Sequence, residues 1–464
     1  MRKMWLKYKV CFCTAVICSM LTAAGCRKLV QVGEPDDSMT SPEVFSSDSL
    51  AQAAISGLYI KIMSNSKFLL NGGMSLFPSL SSDELVRNMV FSFEDQFTGN
   101  ILNSNNTLIN SNLWKAAYAY IYQCNICIQG LERSNSITSG LKTRLSGEVK
   151  FVRALCYYYL VNLFGDVPLV LGTNADVNML MSRTPEDQVY NQVVLDLNAA
   201  GDALTGVNDK RFPTSFAAKA LLARVNLHLS NWSRADELTS DIINSGQFHM
   251  EDNLSEVFKS QSREVIFQWA PVQNRQNSAE GFMFIPLGSG RPNYSVSDHL
   301  WKAFETGDLR KGSWIRSVMA NGQTYNFPFK YKLNLSPVGT PPEEYNVVFR
   351  LAEQYLIRAE ARAKQNRVEE AISDINIIRT RAGLPELATT ISKEQCLQAI
   401  EQERRTELFT EWGHRWIDLK RTNRADEVLS AIKGSSWQAN DKLYPIPFAE
   451  LETAPNLKQN PGYE

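Results

Sequence analysis

Hydrophobic residues recur at steps of three and four along most of the chain, the spacing that puts them on one face of an α-helix. The clearest patterns cover residues 47–59, 113–132, 145–164, 185–203, 215–246, 345–364, 368–382 and 393–412. Residues 63–110 and 251–343 lack this period and are rich in Asn, Ser, Gly and aromatic residues, so we expect long loops with short elements there. The pattern predicts a mainly α-helical protein with two irregular regions.

Two helical blocks resemble each other when residue n is aligned with residue n+136. Three identical pairs then match: Ala223 with Ala359, Ala235 with Ala371, and Ile242 with Ile378. Each block reads as a helix, a short polar turn and a second helix, with small residues where helices cross, as in tetratricopeptide repeats. The sequence therefore predicts a tetratricopeptide-like helical-hairpin scaffold that carries a long loop-rich, partly irregular binding face.

The first 25 residues have the pattern of a secretory signal. Four basic residues and no acidic residue precede an apolar run, 10–21, that is too short to span a membrane. Ala23-Ala24-Gly25 before Cys26 resembles the lipobox of bacterial lipoproteins, in which the cysteine is acylated and becomes the mature N-terminus. We therefore expect a lipoprotein signal peptide at 1–25, palmitoylation and related acylation of Cys26, and a tether at 26–41; an ordinary cleaved signal is the alternative.

Charge and cysteine content exclude several classes of protein. Removal of residues 1–25 changes the formal net charge from −1 to −5, and a mildly acidic chain without basic clusters gives no electrostatic case for nucleic-acid binding. Four cysteines remain after Cys26, at 124, 127, 156 and 396, all within helical patterns. We expect these to be buried thiols and not a disulfide framework.

Catalysis has little support in the sequence. The four histidines are widely spaced, and no HExxH, GxSxG or phosphate-binding loop occurs. A pair of glycosidase carboxylates cannot be recognised from sequence, because its geometry is tertiary. We predict no catalytic residues, no metal ligands and no cofactor, and keep an enzyme as the weaker alternative.

A series of segments resembles the SusD/RagB family of outer-membrane nutrient-binding lipoproteins. In chain order these are Gly147 to Leu160, Phe164-Gly165-Asp166-Val167-Pro168-Leu169, Arg183-Thr184-Pro185, Ala217 to Arg224, Tyr294 to Ser297, Arg381 to Leu384, Glu403-Arg404-Arg405, Asp418 to Arg421, Tyr444 to Pro447 and Gln459 to Tyr463. The similarity extends over nearly the whole mature chain. It divides that chain into an N-terminal helical region, 42–250, and a C-terminal region, 251–464, with a loop-rich insertion at 251–343.

The resemblance implies a role in nutrient uptake. Family members sit on the surface of the outer membrane and cap a SusC-like TonB-dependent β-barrel transporter, to which they deliver glycans or, in RagB-like members, peptides. We therefore expect a non-enzymatic surface lipoprotein that binds a polysaccharide or oligosaccharide. Peptide capture is the alternative, followed by an envelope assembly lipoprotein that binds only protein. Arg27 and Lys28 follow the lipid cysteine, where family members often have acidic residues.

Candidate ligand residues come from the two irregular regions, because aromatic side chains offer flat apolar faces to sugar rings. The first region supplies Asp83, Arg87 and Phe91, and the second supplies Trp269, Tyr294 and Trp314. Packing in the core is the alternative for each of them. Arg404, Arg405 and Glu407 are predicted to form buried or half-buried ion pairs beside Arg415 and Asp418, and not a charged binding site.

Overall fold

The computed structural model describes residues 41–90 and 92–463, most of which are helical. The α-helices, numbered in chain order, are α1 (Ser41–Val44), α2 (Asp48–Ile62), α3 (Gly73–Ser81), α4 (Ser92–Gly99), α5 (Lys115–Arg133), α6 (Ser139–Phe164), α7 (Ala175–Met179), α8 (Glu186–Ala203), α9 (Ser215–His228), α10 (Trp232–Asn244), α11 (Ala279–Phe284), α12 (Asp298–Trp301), α13 (Leu309–Trp314), α14 (Leu351–Lys364), α15 (Val368–Arg381), α16 (Lys393–Glu407), α17 (His414–Arg421), α18 (Ala425–Lys433) and α19 (Phe448–Thr453). A π-helix, Ile109–Trp114, precedes α5, and 3₁₀ turns occur at Gly434–Ser436 and Ala439–Lys442. The prediction of a mainly α-helical fold is confirmed.

The long helices pack in succession and form the scaffold. In order of contact they are α2, α5, α6, α8, α9, α10, α14, α15 and α16. The stack passes directly from α10 to α14, although the second irregular region separates these helices in the chain. The hairpins α9–α10 and α14–α15 are therefore neighbours in space, and the scaffold is continuous where the sequence is interrupted.

The turns of these two hairpins have the same geometry. Ser230 and Asn366, which are equivalent under the shift of 136, both adopt left-handed backbone, with φ of 60° and 65°. In each turn this residue donates its amide hydrogen to an equivalent carbonyl, from Ser230 to Leu227 at 3.2 Å and from Asn366 to Ala363 at 3.1 Å. The internal repeat predicted from the sequence is confirmed by this shared hydrogen bonding.

The irregular regions contribute three small antiparallel sheets. Strand β1 (Leu85–Arg87) pairs with β3 (Tyr294–Val296), β2 (Val265–Trp269) pairs with β6 (Asn346–Arg350), and β4 (Ile315–Ala320) pairs with β5 (Gln323–Pro328). The helix predicted from residue 345 begins only at Leu351, because β6 bonds to β2. The helix predicted to reach 412 ends at Glu407, since Thr410 and Trp412 adopt positive φ.

The first irregular region contains two helices that the sequence pattern did not predict, α3 and α4, and the reason is clear for α3. Every residue of α3 is buried, so the helix has no polar face and shows no amphipathic period. Gly72, which precedes it, has a φ of 82°, and a Cβ there would lie 2.5 Å from the Ser66 carbonyl oxygen. Glycine is therefore required for α3 to begin at this point.

Buried ion pairs hold the C-terminal helices together, as the sequence indicated. Arg404 Nε lies 2.7 Å from an Asp418 carboxylate oxygen, and Arg350 pairs with Glu407 at 2.6 Å. Burial alone would raise the pKa of Glu407, but the guanidinium groups of Arg381 and Arg350 hold it far below its usual value. These charges are part of the protein interior, and the prediction of a structural role for Arg404 and Glu407 is confirmed.

The four cysteines after Cys26 are free thiols in the interior, as predicted. They are Cys124, Cys127, Cys156 and Cys396. Burial raises the pKa of Cys127 to about 12, which keeps its thiol protonated.

None of the helices in the described part of the chain has the length and apolar character needed to cross a membrane.

Candidate ligand-binding groove

The pairing of β1 with β3 brings the two irregular regions together. Arg87 faces Tyr294 across this short sheet. Asn88 extends the contact, because its side-chain amide donates to the Pro292 carbonyl at 2.9 Å and to the Ser295 hydroxyl at 2.7 Å. Segments about two hundred residues apart in sequence therefore form one rim.

A groove of about 470 Å³ opens beside this rim, within the range of small-molecule sites. Its apolar side is formed by Phe282, Met283, Ile285, Pro286 and Leu287, and its polar side by Lys67, Arg291, Asn293, Tyr294 and Asn334. Phe282 is 44% exposed and Leu287 74% exposed, so both present apolar surface to solvent. The arrangement is an open apolar surface bordered by hydrogen-bonding side chains.

Helix α11 fixes the apolar side. The Ser278 hydroxyl caps the helix by accepting a hydrogen bond from the Gly281 amide at 2.9 Å. At the C-terminal end of the helix, the Asn334 side chain donates to the carbonyl oxygens of Phe282 at 3.1 Å and Ile285 at 2.6 Å. A bond from another segment therefore holds the chain that leads from Phe282 to Leu287.

An ionic cluster lies beneath the polar side. The Tyr294 hydroxyl donates to Glu94 at 2.8 Å, and the Lys67 ammonium donates to Glu94 at 2.6 Å and to the Tyr294 hydroxyl at 3.2 Å. Arg87 also pairs with Glu94. Burial raises the pKa of Tyr294 to about 12, with Arg87 opposing that rise, and burial followed by Arg87 lowers the pKa of Lys67. Tyr294 is therefore a neutral hydrogen-bond donor to the Glu94 carboxylate, which already has its hydrogen-bond partners within the cluster.

Of the five predicted ligand residues that the structure describes, only Tyr294 lines the groove. Its ring meets Phe284 edge to face at 6.0 Å and is 2% exposed, so little of the ring is accessible to a ligand. Arg87 supports the groove from below, through Glu94 and Tyr294.

Trp269 and Trp314 lie in the core, which corrects their prediction as ligand contacts. Trp269 is 1% exposed and packs against Phe267 at 4.6 Å and Tyr59 at 5.5 Å. Trp314 is fully buried, and its indole nitrogen donates to the Leu254 carbonyl at 3.0 Å. Neither indole offers a face to a ligand here, because partners from distant segments cover both.

Asp83 is also turned inward. Arg415 Nε donates to Asp83 at 2.8 Å, and Arg405 donates to the same carboxylate at 2.6 Å. Burial alone would raise the pKa of Asp83, but Arg415 and then Arg405 hold it below its usual value. The carboxylate thus links the first irregular region to the C-terminal helices in the protein interior.

Phe91 and Cys26 lie outside the described residues.

Sequence reasoning missed several lining residues, among them Lys67, Leu287 and Arg291. These side chains stand in loops and follow no period that would reveal them. The one local signal is that Arg291 and Asn293 directly precede Tyr294, in a segment rich in Pro and Gly. Across residues 41–90 and 92–463, no three His, Cys, Asp or Glu side chains cluster as a metal site.

Comparison with known proteins places both halves of the chain in one family. A model described as "SusD family" matches residues 302–463, and one described as "Starch-binding associating with outer membrane" matches residues 34–227. A SusD-like protein of Formosa agariphila is 25% identical, over 93% of this chain and 95% of its own length. The starch-binding protein SusD of Bacteroides thetaiotaomicron is 23% identical, over 72% of this chain and 75% of its own.

Solved structures share the fold. A SusD superfamily protein from Parabacteroides distasonis superposes with a TM-score of 0.78 at 23% identity, covering 92% of this chain and 100% of the other. A laminarin-binding SusD-like protein gives a TM-score of 0.74 at 24% identity, covering 90% and 100%. The helical scaffold and its irregular face are thus an arrangement found in other proteins.

Proposed function

Because this chain belongs to the SusD/RagB family, we propose that it is a surface lipoprotein of the outer membrane that captures a polysaccharide or oligosaccharide for uptake. Capture here means binding, without chemical change to the ligand. The observation that carries the proposal is the groove of about 470 Å³, in which exposed Phe282 and Leu287 stand next to hydrogen-bonding side chains. Sugar rings have apolar faces and polar edges, and this surface complements both.

The groove is accessible to a ligand from solvent. It is open to solvent along its apolar side and is formed by loops that a rigid helical scaffold supports. The names of relatives support the ligand class, since one is called starch-binding and a structural neighbour laminarin-binding. Peptide capture and a purely protein-binding role remain outcomes of the test.

Binding of a glycan panel to the purified, detergent-solubilised full-length protein tests the proposal. We expect one polysaccharide class to bind, and Phe282→Ala to weaken that binding by about tenfold or more, because a buried phenylalanine contributes roughly 1.5–3 kcal/mol. Phe448→Ala is the matched control, since Phe448 is 46% exposed and lies on α19, outside the groove. Binding of peptides in preference to every glycan, or equal effects of the two substitutions, would contradict the proposal.

We further propose that the ligand passes to a SusC-like TonB-dependent β-barrel in the same membrane, to which Cys26 anchors this protein through lipid. The family model whose description includes association with the outer membrane supports this part of the proposal. Gentle detergent extraction of the tagged protein, followed by mass spectrometry, should recover the barrel. Recovery of the protein alone would leave a freestanding glycan binder, and recovery with unrelated envelope proteins would favour an assembly role.

A further inference from the structure

The charged residues that line the groove all have one sign. Lys67 and Arg291 reach its surface, and among the residues that the structure describes no aspartate or glutamate lines it. Glu94 lies below, but it is 5% exposed and already accepts from Lys67, Arg87 and Tyr294. A ligand in the groove therefore meets positively charged side chains. No carboxylate of the lining is available to accept hydrogen bonds that the ligand donates.

Arg291 is the main source of positive charge in the groove. Its side chain is exposed, and among the described residues no carboxylate lies within ion-pairing distance of it. The guanidinium stands 5.2 Å from the centre of the Tyr325 ring, a cation–π contact that restricts its position. A planar guanidinium held in this way presents its fork of N–H donors to a carboxylate or sulfate.

The two cationic side chains of the groove, Lys67 and Arg291, can only donate hydrogen bonds. The side-chain nitrogen of Asn334 is occupied by two backbone carbonyls, and its side-chain oxygen is buried and not accessible to solvent. The Tyr294 hydroxyl already donates to Glu94. A neutral sugar needs acceptors for its hydroxyl hydrogens, whereas a carboxylate or sulfate group only accepts. The balance of donors therefore favours an anionic group on the ligand.

We propose that the saccharide bound in this groove is acidic, with a uronate carboxylate or a sulfate ester held by Arg291 while Phe282 and Leu287 cover an apolar ring face. This inference rests on the proposed function and narrows it to a substrate class. Lys67 supplies the second cation at the polar edge, and the ionic cluster beneath fixes that ammonium in place.

Matched polymers test the class of ligand. The panel pairs polygalacturonate with its full methyl ester and a sulfated galactan with its desulfated form, and adds neutral glucans, mannans and xylans. Calorimetry with the full-length protein in detergent should show one acidic form bound, with affinity reduced at least about tenfold when its charge is masked. The polymer pair that responds distinguishes carboxylate from sulfate. Binding should also weaken as the salt concentration rises, because salt screens exposed charges.

Arg291→Gln should abolish most of the preference for the acidic form, while Arg133→Gln, an exposed arginine at the end of α5, should leave it intact. A neutral polymer that binds best, with Arg291→Gln unchanged in affinity, would overturn the acidic class and leave glycan capture standing. Failure to bind any member of the panel would overturn both this inference and the proposed function.

Discussion

Asp83 and Arg415 lie 332 positions apart in the chain, yet they share a buried hydrogen bond of 2.8 Å. The contact joins the end of α3 to α17 and makes Asp83 part of the framework behind the groove. A carboxylate that its sequence context suggested for ligand binding thus performs a different task.

Asp83→Asn should lower the free energy of unfolding by about 3–5 kcal/mol, because Arg415 and Arg405 would lose their buried counter-charge. Urea unfolding measures the change. Asp209→Asn, which breaks an exposed pair with Arg211, is the control and should cost less than about 1 kcal/mol. Unchanged stability together with weaker glycan binding would instead assign Asp83 to the ligand.

Trp269→Ala should destabilise the protein by about 3–5 kcal/mol, since it leaves a cavity between Phe267 and Tyr59. Glycan affinity, measured per folded molecule, should stay the same. Thermal unfolding and calorimetry on the same sample provide both values. A loss of affinity at full stability would show that the indole reaches the ligand.

Ser230→Gly should raise the free energy of unfolding by about 0.5–1 kcal/mol, because serine adopts a left-handed conformation there that costs an L-residue roughly 1–2 kcal/mol. Asn366→Gly at the equivalent turn should gain less, since asparagine tolerates this region better. Urea unfolding of both variants gives the comparison. An equal gain at the two turns would count against the conformational explanation.

Glu280 should make stability depend on pH. Burial raises its pKa to about 7, although the Ser75 hydroxyl, which donates to it at 2.8 Å, acts to lower it. The pKa of Glu280 is 4.5 in the unfolded chain and about 7 in the folded protein, so between these pH values Glu280 ionises only in the unfolded chain. The stability that Glu280 contributes at low pH is therefore lost as the pH rises through this interval.

Glu280→Gln removes that ionisation. Relative to the native protein, the variant should gain about 2–3 kcal/mol of stability on going from pH 5 to pH 8. Urea unfolding at several pH values gives the difference curve. A flat curve for Glu280→Gln would mean that burial does not raise the pKa of this carboxyl.

Cys26→Ala should release the protein from the membrane fraction, because it removes the thiol that we propose carries the lipid. Cys18→Ala, within the predicted signal, is the control and should leave the protein anchored. Fractionation followed by immunoblotting measures the distribution. A Cys26→Ala protein that stays with membranes would contradict the lipoprotein prediction.

Much of the scaffold could be predicted from the sequence. Helical periodicity gave α5, α6 and α8 to within a few residues of their observed ends, apart from an earlier start of α6, and the shift of 136 predicted two equivalent hairpins. These features depend on local spacing, since side chains three and four positions apart share a helix face wherever the helix packs. Strand β6 was mistaken for helix, because its conformation depends on pairing with a strand eighty residues away.

By itself the sequence determined the helical class, the repeated hairpin, the family and the two irregular regions that meet at the groove. Only the tertiary structure decided which side chains of those regions line the groove. Trp269 and Arg291 look equally available in the sequence, but the strand pairing of β2 with β6 turns the indole into the core, while the loop before β3 leaves the guanidinium exposed. In loops and short strands, exposure is set by distant partners and not by neighbours along the chain, which is why periodicity could not distinguish the two.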